Sequence, residues 1–227
     1  MIELSIAVLM LAIITGIYYI SQKLITFSPY ATILKAGTTV LLIFASALIS
    51  YTCNSALGFF ITVGMVFGLL GDIWLDLKYV YYEKDEKIYT YSGFTAFGIM
   101  HLIIIAGLIF IYHISFINVL LFAMIGIVAG ILNVLIGERY LGQDFGMYRF
   151  TTVVYGAILF AALIFVAYSC VWCSVPFIML FAYIIFMLSD LFLSAIYFGD
   201  DASDRTLIAN LGAYYLSMFL LATVGGY

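Results

Sequence analysis

Apolar runs of close to twenty residues follow one another along the chain, separated by short polar interruptions, and this spacing predicts membrane-length helices. The predicted spans are 2–20, 31–50, 55–78, 93–112, 115–137, 149–169, 172–198 and 207–225. Membrane strands are only about ten residues long and alternate in polarity, so uninterrupted runs of this length disfavour them. The first run carries no basic stretch at its start and no small-residue cleavage site after Ile20. It is read as a membrane helix and not as a signal peptide. The expectation is an all-α bundle of about eight transmembrane helices forming one domain over residues 1–227.

Composition turns that pattern into a class of protein. Of 227 residues, 67% are hydrophobic and 9% charged, with a mean hydropathy of +1.23. Too few polar side chains remain to coat eight helices in water, so an integral membrane protein is expected. Charge then gives a direction. Lys23, Lys78, Lys84, Lys87, Arg139, Arg149 and Arg205 all fall at odd-numbered loops. The excess of basic residues puts those loops in the cytoplasm and both termini on the other side, in a cell membrane. A net charge of −4 leaves no basic footprint for nucleic acid.

Other polar clusters carry weaker signals. Cys53, Cys170 and Cys173 fall at predicted non-cytoplasmic loops or helix ends, where inert thiols or a Cys53 disulfide are both open readings. Asp200, Asp201 and Asp204 lack the spacing and closing Glu of an EF-hand and read as a solvated turn. A short Gly/Ser-Asp-x-x-Leu echo links the third and seventh spans, a weak trace of a parallel repeat.

Polar residues inside the spans bear more directly on function, because a carboxylate in hydrocarbon is costly and usually faces a polar cavity. Asp72 lies in the third span and Asp190 in the seventh. Counted from each span's cytoplasmic end at about 1.5 Å per residue, Asp72, Asp190, His101, Tyr155, Tyr214, Tyr215, Asn210 and Lys35 lie roughly 5 to 12 Å deep. Six helices thus deliver polar groups to one layer. Gly64, Gly68 and Gly71 form a small-residue stripe that permits close helix contact. Asp72 follows Gly68 by four and points inward, and Asp76 follows on the same face. The Gly126 and Gly130 pair reads as packing alone.

Structural readings stand beside the functional ones. Either aspartate would serve as a buried carboxylate paired with Lys35 or a tyrosine, His101 as a satisfied core histidine, and Lys35 as a residue snorkelling to the interface. Asp76 reads as support, and His113 as a surface residue at a helix end. One deep histidine and distant cysteines do not supply the usual zinc set, so no metal or other cofactor is expected. No nucleophile elbow, Walker loop or dinucleotide fingerprint is present. Paired carboxylates with His and Tyr in a low-dielectric setting suit general acid/base work.

These residues resemble the YhhN-like lysoplasmalogenase family of eight-span membrane proteins. The matching pieces are Gly71-Asp72, Phe97-Gly98-Ile99-Met100-His101, Tyr155, Phe186 through Ser194 with Ser189-Asp190 at its centre, and Tyr214-Tyr215. Ala36, Ile104, Ile105 and Met218 depart from the family's usual residues, as does the lack of a basic residue near Tyr197. The resemblance implies hydrolysis of the vinyl ether bond of lysoplasmalogens, giving a fatty aldehyde and glycerophospho-ethanolamine or glycerophosphocholine. Asp72, Asp190 and His101 would then be catalytic. Lys35, Asp76, Tyr155, Ser189, Asn210, Tyr214 and Tyr215 would bind a lysophospholipid substrate drawn from the membrane. A transporter that moves protons, a lipid or another small molecule on the same carboxylates is the rival reading. The near absence of charge in the outer half of each span leans against it.

Overall fold

Without water to satisfy backbone N–H and C=O groups, a segment in hydrocarbon must close its hydrogen bonds within itself, and apolar runs of this length therefore become helices. The computed structural model describes residues 1–25, 29–80, 86–199 and 203–227. Among them are eight long helices: α1 (Ile2–Ile25), α2 (Pro29–Thr52), α3 (Ala56–Val80), α4 (Glu86–Tyr112), α5 (Phe116–Tyr140), α6 (Arg149–Trp172), α7 (Phe177–Phe198) and α8 (Asp204–Thr223). Each is long and apolar enough to cross a membrane. The protein is an all-α integral membrane protein, as the apolar runs predict. Lys84, Asp200 and Asp201 lie outside the described residues.

Several helices outlast the predicted spans. Helix α1 continues to Ile25, and α4 begins at Glu86, seven residues before its predicted start. Polar residues at a membrane surface remain helical, so hydropathy marks the hydrocarbon and not the end of the hydrogen-bonded ladder.

The described residues gather into two compact units, Met1–Gly107 with Met218–Tyr227, and Leu108–Ser217. In the first, the glycine stripe of α3 admits α4. A Cβ on Gly64 would lie 3.1 Å from the Met100 carbonyl oxygen, one on Gly68 2.9 Å from Met100 Sδ, and one on Gly71 2.6 Å from the Phe97 ring. Helices α2 and α3 are joined across their faces by a 2.7 Å hydrogen bond between the Ser46 and Thr62 hydroxyls.

In the second unit, α5 begins at Ser115, whose Oγ accepts from the Asn118 N–H at 3.3 Å. Helix α5 then packs closely on α6. A Cβ on Gly130 would lie 2.6 Å from both Ala157 N and Val153 O, which is why the Gly126 and Gly130 face carries no side chain. Phe122 and Phe165 meet edge to face at 5.0 Å nearby. After α5 the chain turns back through residues 141–148, with Gly142 (φ +66°) and Gly146 (φ +45°) in the left-handed region open to glycine. His113 sits at the end of α4, as its sequence position suggests.

Candidate functional site

In the first unit three neighbouring helices each contribute a polar pair at i, i+4, the spacing that stacks two side chains on one helix face. The pairs are Tyr19 and Lys23 on α1, Lys35 and Thr39 on α2, and Asp72 and Asp76 on α3. They converge. Lys35 Nζ lies 3.1 Å from Asp72 Oδ1 and 3.4 Å from Asp76 Oδ1. Lys23 Nζ approaches the same Asp76 oxygen at 3.2 Å. The Tyr19 hydroxyl donates to Asp76 Oδ2 at 3.3 Å, and the Thr39 hydroxyl to Asp72 Oδ2 at 2.7 Å.

All six side chains belong to buried residues, with Asp72 1% exposed. Burial on this scale makes the balance of charge decisive. Two ammonium groups and two carboxylates sum to zero, so each ion is compensated where water is scarce. Lys35 is the bridge, because it contacts both aspartates. Asp76 in turn gathers Lys23, Lys35 and Tyr19, and thereby fixes the lysine that faces Asp72.

Lys35 therefore forms ion pairs and does not snorkel to the surface. Three members of the cluster, Tyr19, Lys23 and Thr39, do not stand out in the sequence. Lys23 falls at a predicted cytoplasmic loop, but in the structure it belongs to the last turn of α1 and is buried. Its signal is the four-residue spacing from Tyr19. Thr39 has the same signal, four residues after Lys35. His101 lies on α4 in this unit and is fully buried, beside the equally buried Met100.

The second unit holds Asp190. Its carboxylate accepts a 2.5 Å hydrogen bond from the Tyr155 hydroxyl, which joins α7 to α6. The pairing of an intramembrane carboxylate with a tyrosine, one of the structural readings open to either aspartate, is met here by a specific residue, although Asp190 itself is half-buried. No lysine or arginine among the described residues is ion-paired with Asp190.

Ser189 and Asn210 bind each other. Asn210 Nδ2 donates to the Ser189 carbonyl at 2.8 Å and to its Oγ at 3.1 Å, while that hydroxyl donates to the Asn210 carbonyl at 3.1 Å. This reciprocal clasp ties α7 to α8. Tyr214 packs edge-on against Phe186 at 5.9 Å and against Tyr215 at 5.3 Å.

Chemically, the two carboxylates are differently equipped. Asp72 has an ammonium group and a hydroxyl fixed against it, so it is arranged as an anion. Asp190 has a phenol, an arrangement that serves a carboxyl group in either protonation state. Among the described residues no group of three or more His, Cys, Asp or Glu side chains is gathered as metal ligands would be.

Comparison with family models matches residues 30–224 to the YhhN family. No curated protein and no solved structure gave a match.

Proposed function

Because the chain belongs to the YhhN family, we propose that it is a membrane hydrolase that cleaves the vinyl ether bond of lysoplasmalogens, releasing a fatty aldehyde and glycerophospho-ethanolamine or glycerophosphocholine. The observation that carries the reading is the placement of carboxylates within membrane-length helices, each with a fixed polar partner: Asp72 with Lys35 and Thr39, Asp190 with Tyr155. Intramembrane carboxylates are expensive, and chemistry is the common reason for keeping them. Their joint role comes from the family resemblance, and each residue's own surroundings support the part assigned to it.

Vinyl ether hydrolysis starts when an acid protonates the outer alkene carbon. The C=C electron pair forms the new C–H bond, and the ether oxygen shares the positive charge as an oxocarbenium ion. Water adds to the carbon bearing oxygen and loses a proton, and the hemiacetal breaks its bond to the glycerol oxygen, which leaves as an alcohol. One water is consumed and the acid's proton is returned. We assign the acid's part to Asp190, whose partner is neutral, and the anion's part to Asp72, the same division of labour that two carboxyl groups perform in glycosidases. His101, Tyr214 and Tyr215 would orient water or the glycerol, with Lys35 and Asp76 fixing Asp72.

Purified protein incubated with a lysoplasmalogen should release aldehyde detectable by mass spectrometry. Asp190→Asn and Asp72→Asn, each folded in detergent, should lose activity by about a hundred- to ten-thousand-fold, the usual worth of general acid/base catalysis. Wild-type turnover in either variant removes that residue from the mechanism. Unaltered lipid combined with ion flux in proteoliposomes would establish transport instead.

A further inference from the structure

The second unit contains a cavity of about 430 Å³ that the residues described above do not explain. It lies where α5 and α7 end, and its walls include the polar Asn133, Gln143 and Ser194 and the apolar Ile136, Leu141 and Leu191. The volume is within the usual range for small-molecule sites.

One rim of this cavity is firmly built. Gln143 N–H donates to the Gly137 carbonyl at 3.0 Å, and Asp144 N–H to that of Phe198 at 2.6 Å. Phe145 and Phe198 stack with centroids 4.8 Å apart, and Ser194 Oγ donates to Gln143 Oε1 at 3.1 Å. That last bond turns the Gln143 carboxamide so that its oxygen is engaged while its N–H groups remain as donors. A Cβ on Gly137 would strike this same oxygen at 2.6 Å, so the glycine is what lets the loop close against α5.

Asn133 supplies the second observation. Helix α5 is the most apolar of the spans, with a mean hydropathy of 2.8. Asn118, near its start, is satisfied by the Tyr168 hydroxyl at 3.2 Å. Asn133 is half-buried, lines the cavity, and makes no side-chain hydrogen bond to a described residue. An amide in a lipid-spanning helix needs a partner, and the cavity is where it can find one. The exposed side chains of Ile136, Leu141 and Leu191 place the cavity beside the apolar surface that meets lipid, so its occupant is drawn from the bilayer.

We propose that this cavity holds the glycerol of a single-chain ether lipid, with Asn133, Gln143 and Ser194 binding its free hydroxyl and ether oxygen. Amide and hydroxyl groups both donate and accept, as a hydroxyl requires, and none of the described lining residues carries a charge, which favours a neutral hydroxylated ligand over phosphate. The assignment rests on the hydrolase reading at one point. Ser194 follows Asp190 by four residues, about one turn or 5.4 Å along α7. Since the vinyl ether oxygen is attached to the glycerol itself, a glycerol fixed at Ser194 keeps the reacting bond near Asp190.

The test uses 1-O-alkylglycerol, a saturated and phosphate-free ether that cannot be hydrolysed, titrated calorimetrically into full-length protein in detergent. Binding should be saturable, and Asn133→Leu and Ser194→Ala should each weaken it about tenfold, the loss expected for one hydrogen bond. Ser194→Ala is the smaller change and guards against misfolding in the other, with both checked for monodispersity. An alkanol of equal chain length should bind the variants and the wild type alike. No binding to the wild type, equal affinity in both variants, or a matching loss for the alkanol overturns the proposal. Hydrolysis with unchanged KM in both variants also overturns it while leaving the activity standing. Asn133-dependent binding in a protein that hydrolyses nothing keeps the site and discards the activity.

Discussion

Asp72 and Asp76 stand one turn apart on α3 yet sit in unequal surroundings, and the difference is set by two lysines from other helices. Removing one partner from a buried ion pair leaves an uncompensated charge, at a cost of about 3–5 kcal/mol. Lys35→Met should therefore be among the most damaging single substitutions, measured as loss of thermal stability in detergent as well as of activity. Lys23→Met and Asp76→Asn should each destabilise, whereas the double variant should destabilise less than the sum of the two. A coupling of about 1 kcal/mol or more is expected in that cycle, and strict additivity would mean that the 3.2 Å pair contributes nothing. The sequence makes Asp72 and Lys35 conspicuous because each is a charge inside an apolar run. Lys23 is hidden because it follows the last apolar residues of its run, where a lysine ordinarily marks a loop. Only the three-dimensional approach of α1 to α3 separates those two cases.

Helices are legible where apolar runs are long, and their ends are not. The transition from hydrocarbon to headgroup changes residue polarity without ending the helix, which is why α1 and α4 outlast their hydropathy. Glycine spacing is informative in a way that hydropathy is not. Gly64, Gly68 and Gly71 do face another helix, and Gly130 allows α5 to lie against the α6 backbone. Gly130→Leu should force the two helices apart, costing about 1–3 kcal/mol or more as overpacking does, and should lower the melting temperature by several degrees. Gly37 provides the contrast. It is exposed on α2, and a Cβ there would meet nothing within 4 Å. Gly37→Ala should be tolerated and slightly stabilising, by about 0.5–1 kcal/mol. Equal effects at the two positions would show that helix propensity, and not close approach, governs both.

At the scale of the chain, the matched family region begins at residue 30, yet Tyr19 and Lys23 from α1 both reach Asp76. Deleting residues 1–28 should leave Asp76 with Lys35 as its one described ion-pair partner and the cluster with one negative charge in excess. Loss of both stability and activity is expected, and a fully active truncated protein would show α1 to be dispensable. Orientation has its own test. Cys53 is exposed just beyond α2, while Cys170 is buried. Desolvation also pushes the Cys173 thiol above its ordinary range, which slows its alkylation at neutral pH. A membrane-impermeant maleimide added to intact cells should label Cys53 first if the even-numbered loops face outward. Labelling only after the cells are opened would invert the topology.

The neutral cluster of two lysines and two aspartates also bears on how the protein is made. During synthesis α1 and α2 emerge before α3, and a lone lysine or aspartate within a membrane helix is costly. Lys35 therefore meets these two carboxylates only once α3 arrives, and the aspartates meet their lysines only if the first two helices are still at hand. Pairing the charges requires the three helices to settle into lipid together. Asp72→Lys should accordingly strand the nascent chain at the insertion machinery, visible as degradation of the whole protein before any question of catalysis arises.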